Sequence, residues 1–160
     1  MVRTLDTKDI PQILDIYNYY VLNSEVTFDD KPFSFDMFFN KVQTIAKDFP
    51  FLVFEDNNTI LGYAYGSKFR PKPGYNKTVE STVYIKHGEH GKQIGTRLYN
   101  ELLNRLQKEN YHVVMAVLTL PNQISVRLHE KFGFTQVAHL KEVGFKFNKW
   151  LDVGFWQLKL

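Results

Sequence analysis

Residues 83–98, VYIKHGEHGKQIGTRL, decide how this chain is read. A β-branched and aromatic run at 83–85 gives way to a polar turn holding Gly88, Gly91 and Gly95. Leu98, Leu102, Leu103 and Leu106 then recur at helical spacing on one face. The order is strand, glycine-bearing turn, helix start. A helix start leaves backbone N–H groups without intrahelical acceptors, and its dipole places about half a positive charge there. Glycine adds no Cβ, so an anion can approach the backbone closely. Such a turn can hold a pyrophosphate, and His90, Lys92 and Arg97 add charge to it. It is not a Walker loop, which needs Gly-Lys-Ser/Thr, nor a dinucleotide fingerprint, which needs G-x-G-x-x-G. Taken alone, an ordinary βα turn accounts for it at least as well.

Downstream, HVVMAVL (112–118) is an apolar β-branched run, as expected for a strand buried on both faces. LPNQISVRLHEKFGF (120–134) follows, with Asn122 and Ser125 opening a short helix over 122–131 that carries His129, and Gly133 closing it. Capping explains Asn122; Asn and Ser side chains equally suit an amide-rich cofactor arm. Upstream, VESTVYIK reads as a strand, preceded by the basic, aromatic loop RPKPGYNKT. FPFLVFEDNNTILGYAYGSKF (49–69) reads as two strands around a turn at Asp56, Asn57 and Asn58. The N-terminal third is expected to be helical. Thr7 can cap a first helix whose stripe is Ile10, Ile13, Leu14, Tyr17 and Val21, and Ser34 a second carrying Met37, Phe38, Val42 and Ile45. Two more strands are expected near 134–143 and 153–158, with Phe145, Phe147, Trp150, Phe155 and Trp156 mostly in the core. The pattern predicts a single domain over 1–160 of the α/β (α+β) class, helices packed on one sheet.

Composition narrows the function. At 160 residues the chain can bury a core without staples. It has no cysteine, which removes disulfides, thiolate catalysis and cysteine zinc sites. His87 and His90 have no companion ligands nearby in sequence, so no metal is expected. No apolar run is long enough to span a membrane, and MVRTLDTKDIPQ lacks the layout of a signal peptide, so the expected location is cytoplasmic. The net charge of +3 hides a polarised chain, with five Lys/Arg against ten Asp/Glu in residues 1–60 and seven against two in 68–97. The basic stretch favours an anionic ligand. A nucleic-acid-binding module is the rival class, but no RNP, KH or zinc-finger signature accompanies the charge.

The order of the two stretches, β–cradle–α–β–Asn-x-x-Ser–α, resembles the acyl-CoA-binding half of the GNAT superfamily of N-acetyltransferases. That family wraps the CoA pyrophosphate with Gln/Arg-x-x-Gly-x-Gly/Ala; here the stretch is His90, Gly91, Lys92, Gln93, Ile94, Gly95, with His at the first position and Gln93 for the middle Gly. IYNYYVLNSEVTFDD, FRPKPGY, TVESTVY, SVRLHEKFGF and EVGFKFNKWLDVGFWQLKL are similar to the phosphinothricin-type branch. The resemblance implies a GNAT fold with a mixed sheet of about six to seven strands, acetyl-CoA as cosubstrate and a small amino-acid-like amine as acceptor. It also implies a homodimer, with no nucleic acid or membrane partner. Another amine, such as a protein N-terminus, is the alternative acceptor.

In that family a carboxylate takes the proton of the acceptor ammonium, which falls on Glu80. A backbone N–H of the central strand, within Val83, Tyr84 and Ile85, serves the developing oxyanion. The CoA-binding set implied is these three residues, the turn from His90 to Gly95 with Thr96, and Asn122 with Ser125. Many GNAT proteins carry Tyr where this chain has His129, which is either a proton donor or a packing residue. Arg70 and Lys72 are candidates to pair with an acceptor carboxylate, and Phe28 and Tyr75 to wall its pocket.

Overall fold

Two apolar faces of one sheet organise the chain. The computed structural model describes residues Met1–Leu160. In chain order its elements are β1 (Val2–Thr4), α1 (Ile10–Asn23), α2 (Phe35–Asp48), β2 (Phe51–Asp56), β3 (Thr59–Lys68), β4 (Thr78–Ile85), α3 (Ile94–Lys108), β5 (Val113–Leu120), α4 (Gln123–Lys131), β6 (Thr135–Lys146) and β7 (Lys149–Lys159). The sheet runs β1-β2-β3-β4-β5-β7-β6. Only the β4–β5 pair is parallel. The expected mixed sheet is present, with seven strands.

On one face, Leu98, Tyr99, Leu102 and Leu106 of α3 are fully buried against Leu52, Ala64, Val79 and Val114. Burial of each such side chain contributes about 1.5–3 kcal/mol. On the other face, Ile10, Ile13 and Tyr17 of α1 and Phe38 and Val42 of α2 cover Phe51, Val53 and Tyr63. Ser34 caps α2 as expected, accepting from Met37 N at 3.4 Å. Met37 itself is exposed, one position off the apolar stripe.

Three expectations need correction. The first turn begins at Asp6, not Thr7. The Asp6 carboxylate accepts from Lys8 N at 3.1 Å and opens a short 3-10 turn ahead of α1. The strand β1 was not anticipated, because three residues carry no period. It is held by Arg3, whose guanidinium donates to both Asp9 oxygens at 2.6 and 2.9 Å and to Glu55 at 2.6 Å.

The third correction concerns the C-terminal aromatics. Phe147 and Asn148 adopt φ of 51° and 58°, the left-handed pair of a tight hairpin, matching Asn57 and Asn58 in the β2–β3 turn. β6 and β7 therefore run several residues beyond their expected ends. Phe145, Phe147 and Trp150 are exposed on this edge hairpin, Trp150 by 64%, whereas Trp156 is buried. Position along the strand decides between the two tryptophans: Trp156 pairs with Ala116 of β5 inside the core cluster, whereas Trp150 lies beyond the end of the β5–β7 ladder, paired only with Phe145.

What positions the site is a divergence in the middle of the sheet. β4 and β5 are in register only at Thr78–Val113, Val79–Val114 and Glu80–Met115. Beyond Glu80 the two strands separate, β4 continuing to Ile85 and β5 to Leu120. No helix is long and apolar enough to cross a membrane.

Candidate active site

In an antiparallel ladder, hydrogen-bonded pairs alternate along the strand. Lys86 N donates to Leu61 O at 2.8 Å, so Tyr84 and Thr82 also direct their backbone groups toward β3. Val83 and Ile85 consequently present theirs to the gap that β5 has left. The Tyr20 hydroxyl of α1 fills one of these positions by donating to Ile85 O. Val83 N–H has no strand partner there. The gap widens into a cavity of about 340 Å³ lined by residues 80–85, 117–119, Tyr20, Thr27, Phe28, Asn122, Ser125 and Leu128, among others. That volume is in the range of small-molecule sites.

Glu80 stands where the strands part. It is half-buried and belongs to no salt bridge of the protein. Burial pushes its carboxyl above the ordinary range, and the positive charge of Arg70 draws it partly back. A carboxylate so placed is a stronger base than an exposed one.

The turn between β4 and α3 combines left-handed backbone with opposed charges. Gly88 and Gly91 both have φ of 83°, with open space where a Cβ would stand. Gln93, at the α3 N-cap, has φ of 60°, a conformation that costs a non-glycine residue about 1 kcal/mol. This accounts for the glycine that the family pattern places there. Gly95 has a different duty: a Cβ would lie 3.2 Å from Leu128 Cδ2, so its bareness lets α3 and α4 approach. Ile94 is in the core, and Thr96 Oγ1 accepts from Lys131 Nζ at 3.4 Å. Lys92 pairs with Glu89 at 2.6 Å, so part of the expected positive charge is locally neutralised. His90 turns inward, Nε2 lying 3.2 Å from Tyr20 Oη, and burial lowers its pKa, with a smaller contribution from His87.

Asn122 caps α4, its Oδ1 accepting from Ser125 N at 3.1 Å, and both residues also line the cavity. His129 is only 2% exposed. Its Nδ1 lies 2.7 Å from Ser125 O, an acceptor, so this nitrogen carries the proton and Nε2 accepts from Tyr99 Oη at 2.6 Å. Tyr99 Oη in turn lies 2.7 Å from Ser81 Oγ, on β4 beside Glu80. Burial lowers the His129 pKa, while the Ser125 carbonyl opposes the shift. The ring is therefore neutral at pH 7, with both nitrogens engaged inside the protein.

On the acceptor side the structure separates the expected residues. Phe28 lines the cavity. Arg70 lies over the Phe69 ring at 4.6 Å and donates to Phe69 O, close enough to Glu80 to act on its charge. Lys72 precedes a 3-10 turn at Pro73–Tyr75, and both Lys72 and Tyr75 are exposed. Tyr75 lines a separate groove with Asp48, Lys68 and Tyr111 rather than the cavity beside Glu80. Tyr20, Thr27 and Tyr99 were not anticipated. Tyr20 and Tyr99 sit on the buried stripes of their helices, where a hydroxyl is indistinguishable in pattern from any apolar partner.

The assembly is a split sheet with a free central-strand N–H, a half-buried carboxylate, and a glycine-bearing helix start at the mouth. It suits acyl transfer to an amine. The family model for the acetyltransferase (GNAT) domain matches residues 2–154. The phosphinothricin N-acetyltransferase of Streptomyces viridochromogenes is 35% identical over 98% of this chain and 85% of its own length. The L-methionine sulfoximine/L-methionine sulfone acetyltransferase of Salmonella typhimurium is 34% identical over 99% and 94%. The crystal structure of a phosphinothricin acetyltransferase from Sinorhizobium meliloti in complex with acetyl-CoA superposes with a TM-score of 0.97 at 31% identity, covering 100% of this chain and 88% of that one. With the fold, the gap and these likenesses in agreement, the chain belongs to the GNAT acetyltransferase family.

Proposed function

We propose that this protein transfers the acetyl group of acetyl-CoA to the primary amine of a small, amino-acid-like acceptor of the phosphinothricin, methionine sulfoximine or methionine sulfone type. The observation that carries the reading is the divergence of β4 and β5 with Glu80 at its apex. Bound acetyl-CoA supplies an activated thioester carbonyl. Val83 N–H is the donor available to that carbonyl as charge develops on it. The helix start and its turn, with Gly91, Lys92 and Gln93, offer the backbone donors for the pyrophosphate, and Asn122 and Ser125 border the arm of the cofactor. Glu80 takes the proton of the acceptor ammonium, directly or through water. Arg70 is the cation whose charge acts on this carboxylate and is the candidate partner of an acceptor anion. His129 borders the cavity and supports it, holding Tyr99 and through it Ser81. A thiol with a reference pKa near 8.5 can depart as the anion without a side-chain donor.

A thiol-release assay with acetyl-CoA across methionine sulfone, methionine sulfoximine, phosphinothricin, a polyamine and an N-terminal peptide tests this directly. Turnover is expected with the first three, and preference for the polyamine or peptide would overturn the acceptor assignment. Acetyl-CoA at 100 times its Kd is expected to add about 2.7 kcal/mol of stability, read as a rise in Tm.

A homodimer completes the proposal. On β6 the burial is inverted: Val143 and Phe145 face solvent while Gly144 and Lys146 are buried. With Phe147 and Trp150 they form an apolar surface on an edge hairpin, the kind of patch that marks an interaction site. Trp150→Glu is expected to halve the mass measured by sedimentation; an unchanged mass would place the contact elsewhere.

A further inference from the structure

The inward side of β6 carries a second consequence. Residues 24–34, between α1 and α2, pass over the cavity and contribute Val26, Thr27 and Phe28 to its lining. This strap is tied to the far end of the sheet. Lys146, 5% exposed, donates to Ser24 O at 2.6 Å and to Thr27 O at 2.8 Å. A buried ammonium needs such acceptors, and both lie within four residues of Phe28. Lys149 pairs with Glu25 at 3.2 Å, and Tyr17 Oη is 3.0 Å from Thr27 Oγ1.

Phe28 itself rests on Gly144. A Cβ at position 144 would lie 2.1 Å from Phe28 Cζ and within 2.7 Å of both neighbouring ring atoms, a separation no real methyl tolerates. The ring nevertheless remains 40% exposed. A phenylalanine that is seated on a glycine, preceded by two lysine-bound carbonyls and still left partly open to a cavity is not explained by burial. Its place at the cavity beside Glu80 is what the seating secures.

We infer that Gly144 and Lys146 are specificity-determining residues, which set the room for the acceptor side chain by fixing where the Phe28 ring stands. The inference rests on the acceptor reading above. Gly144 allows the ring to lie back against β6, and Lys146 keeps the strap from lifting. Neither touches the acceptor; both act through Phe28.

The test is a double-mutant cycle of Gly144→Ala and Phe28→Ala, with acceptors of graded side-chain length. Gly144→Ala is expected to push the ring into the cavity and raise KM for the longest acceptor by about tenfold or more relative to the shortest, the scale of one methylene in an apolar pocket. The KM for acetyl-CoA should stay within about twofold, a split that general loosening of the fold would not produce. In the Phe28→Ala background, Gly144→Ala should have no further effect on acceptor selectivity. Lys146→Met, which keeps the stem and loses the donors, should raise KM for all acceptors, with Lys146→Arg restoring part of the loss. Ring-selective NMR of the free protein should show Phe28 displaced in Gly144→Ala whatever the turnover. Unchanged rank order of acceptors, or an undiminished Gly144→Ala effect without the Phe28 ring, overturns the inference while leaving the acetyltransferase reading intact. A wild-type protein that acetylates no amine overturns both, and the NMR shift then reports only packing.

Discussion

Glu80→Gln is expected to lower kcat/KM by about 10²–10⁴-fold near neutral pH, the usual contribution of a positioned general base. Gln keeps the shape of the side chain and leaves the cofactor turn, which begins at His90, untouched. The loss should shrink as pH rises, because free amine then accumulates without assistance. The stability of the same variant separates catalysis from structure. Burial raises the Glu80 pKa in the folded state, with Arg70 opposing. A folded pKa above the unfolded one means that the folded state holds this proton more tightly. Its contribution to stability is then greatest at low pH and is lost as pH rises through the folded value. Near neutral pH the ionised carboxylate is a burden on the fold, so Glu80→Gln should be neutral or slightly more stable in urea while losing most of its turnover. A less stable variant with an unmoved pH–rate profile would make Glu80 a structural residue.

The second large effect is expected at His129. His129→Ala should cost roughly 2–4 kcal/mol of stability, since it opens a cavity in the core and strips Tyr99 Oη of its acceptor. The loss should depend on pH with a definite sign. Burial depresses the His129 pKa. Its neutral form therefore supports the fold fully above the unfolded value near 6.5, and that support is lost as pH falls toward the depressed folded value. The gap between wild type and variant should narrow on acidification, as measured by urea unfolding at several pH values. A gap that widens instead would mean that the ring is held as the imidazolium.

Much of the fold was legible because its periods are strong. The α3 stripe of Leu98, Leu102, Leu103 and Leu106 and the apolar run of β5 each allow one interpretation, and both elements lie where expected. The β6–β7 hairpin was legible only in part, because Phe147 and Asn148 do not advertise a left-handed turn as Asn-Gly would. Its exposed aromatics mislead for a related reason: their apolar surface faces outward, and residue type alone carries no direction. At the site, the turn, Asn122 and Ser125 could be located from spacing and from family likeness. The Ser81–Tyr99–His129 chain could not, since it joins three elements that are adjacent only after α3 and α4 have packed on the sheet.

The short parallel ladder between β4 and β5 has a mechanical consequence. Only three residue pairs join a four-stranded half-sheet to a three-stranded one. Thr78–Glu80 and Val113–Met115 are thus the strand-to-strand link between the two halves, which α3 bridges by packing on both. The central strand, though flanked on both sides in the strand order, has along residues 83–85 the solvent access of a sheet edge. The amide protons of Val83 and Ile85 should exchange quickly in the free protein and slow sharply when a ligand fills the gap, while those of Tyr84, Val79 and Val114 stay protected throughout.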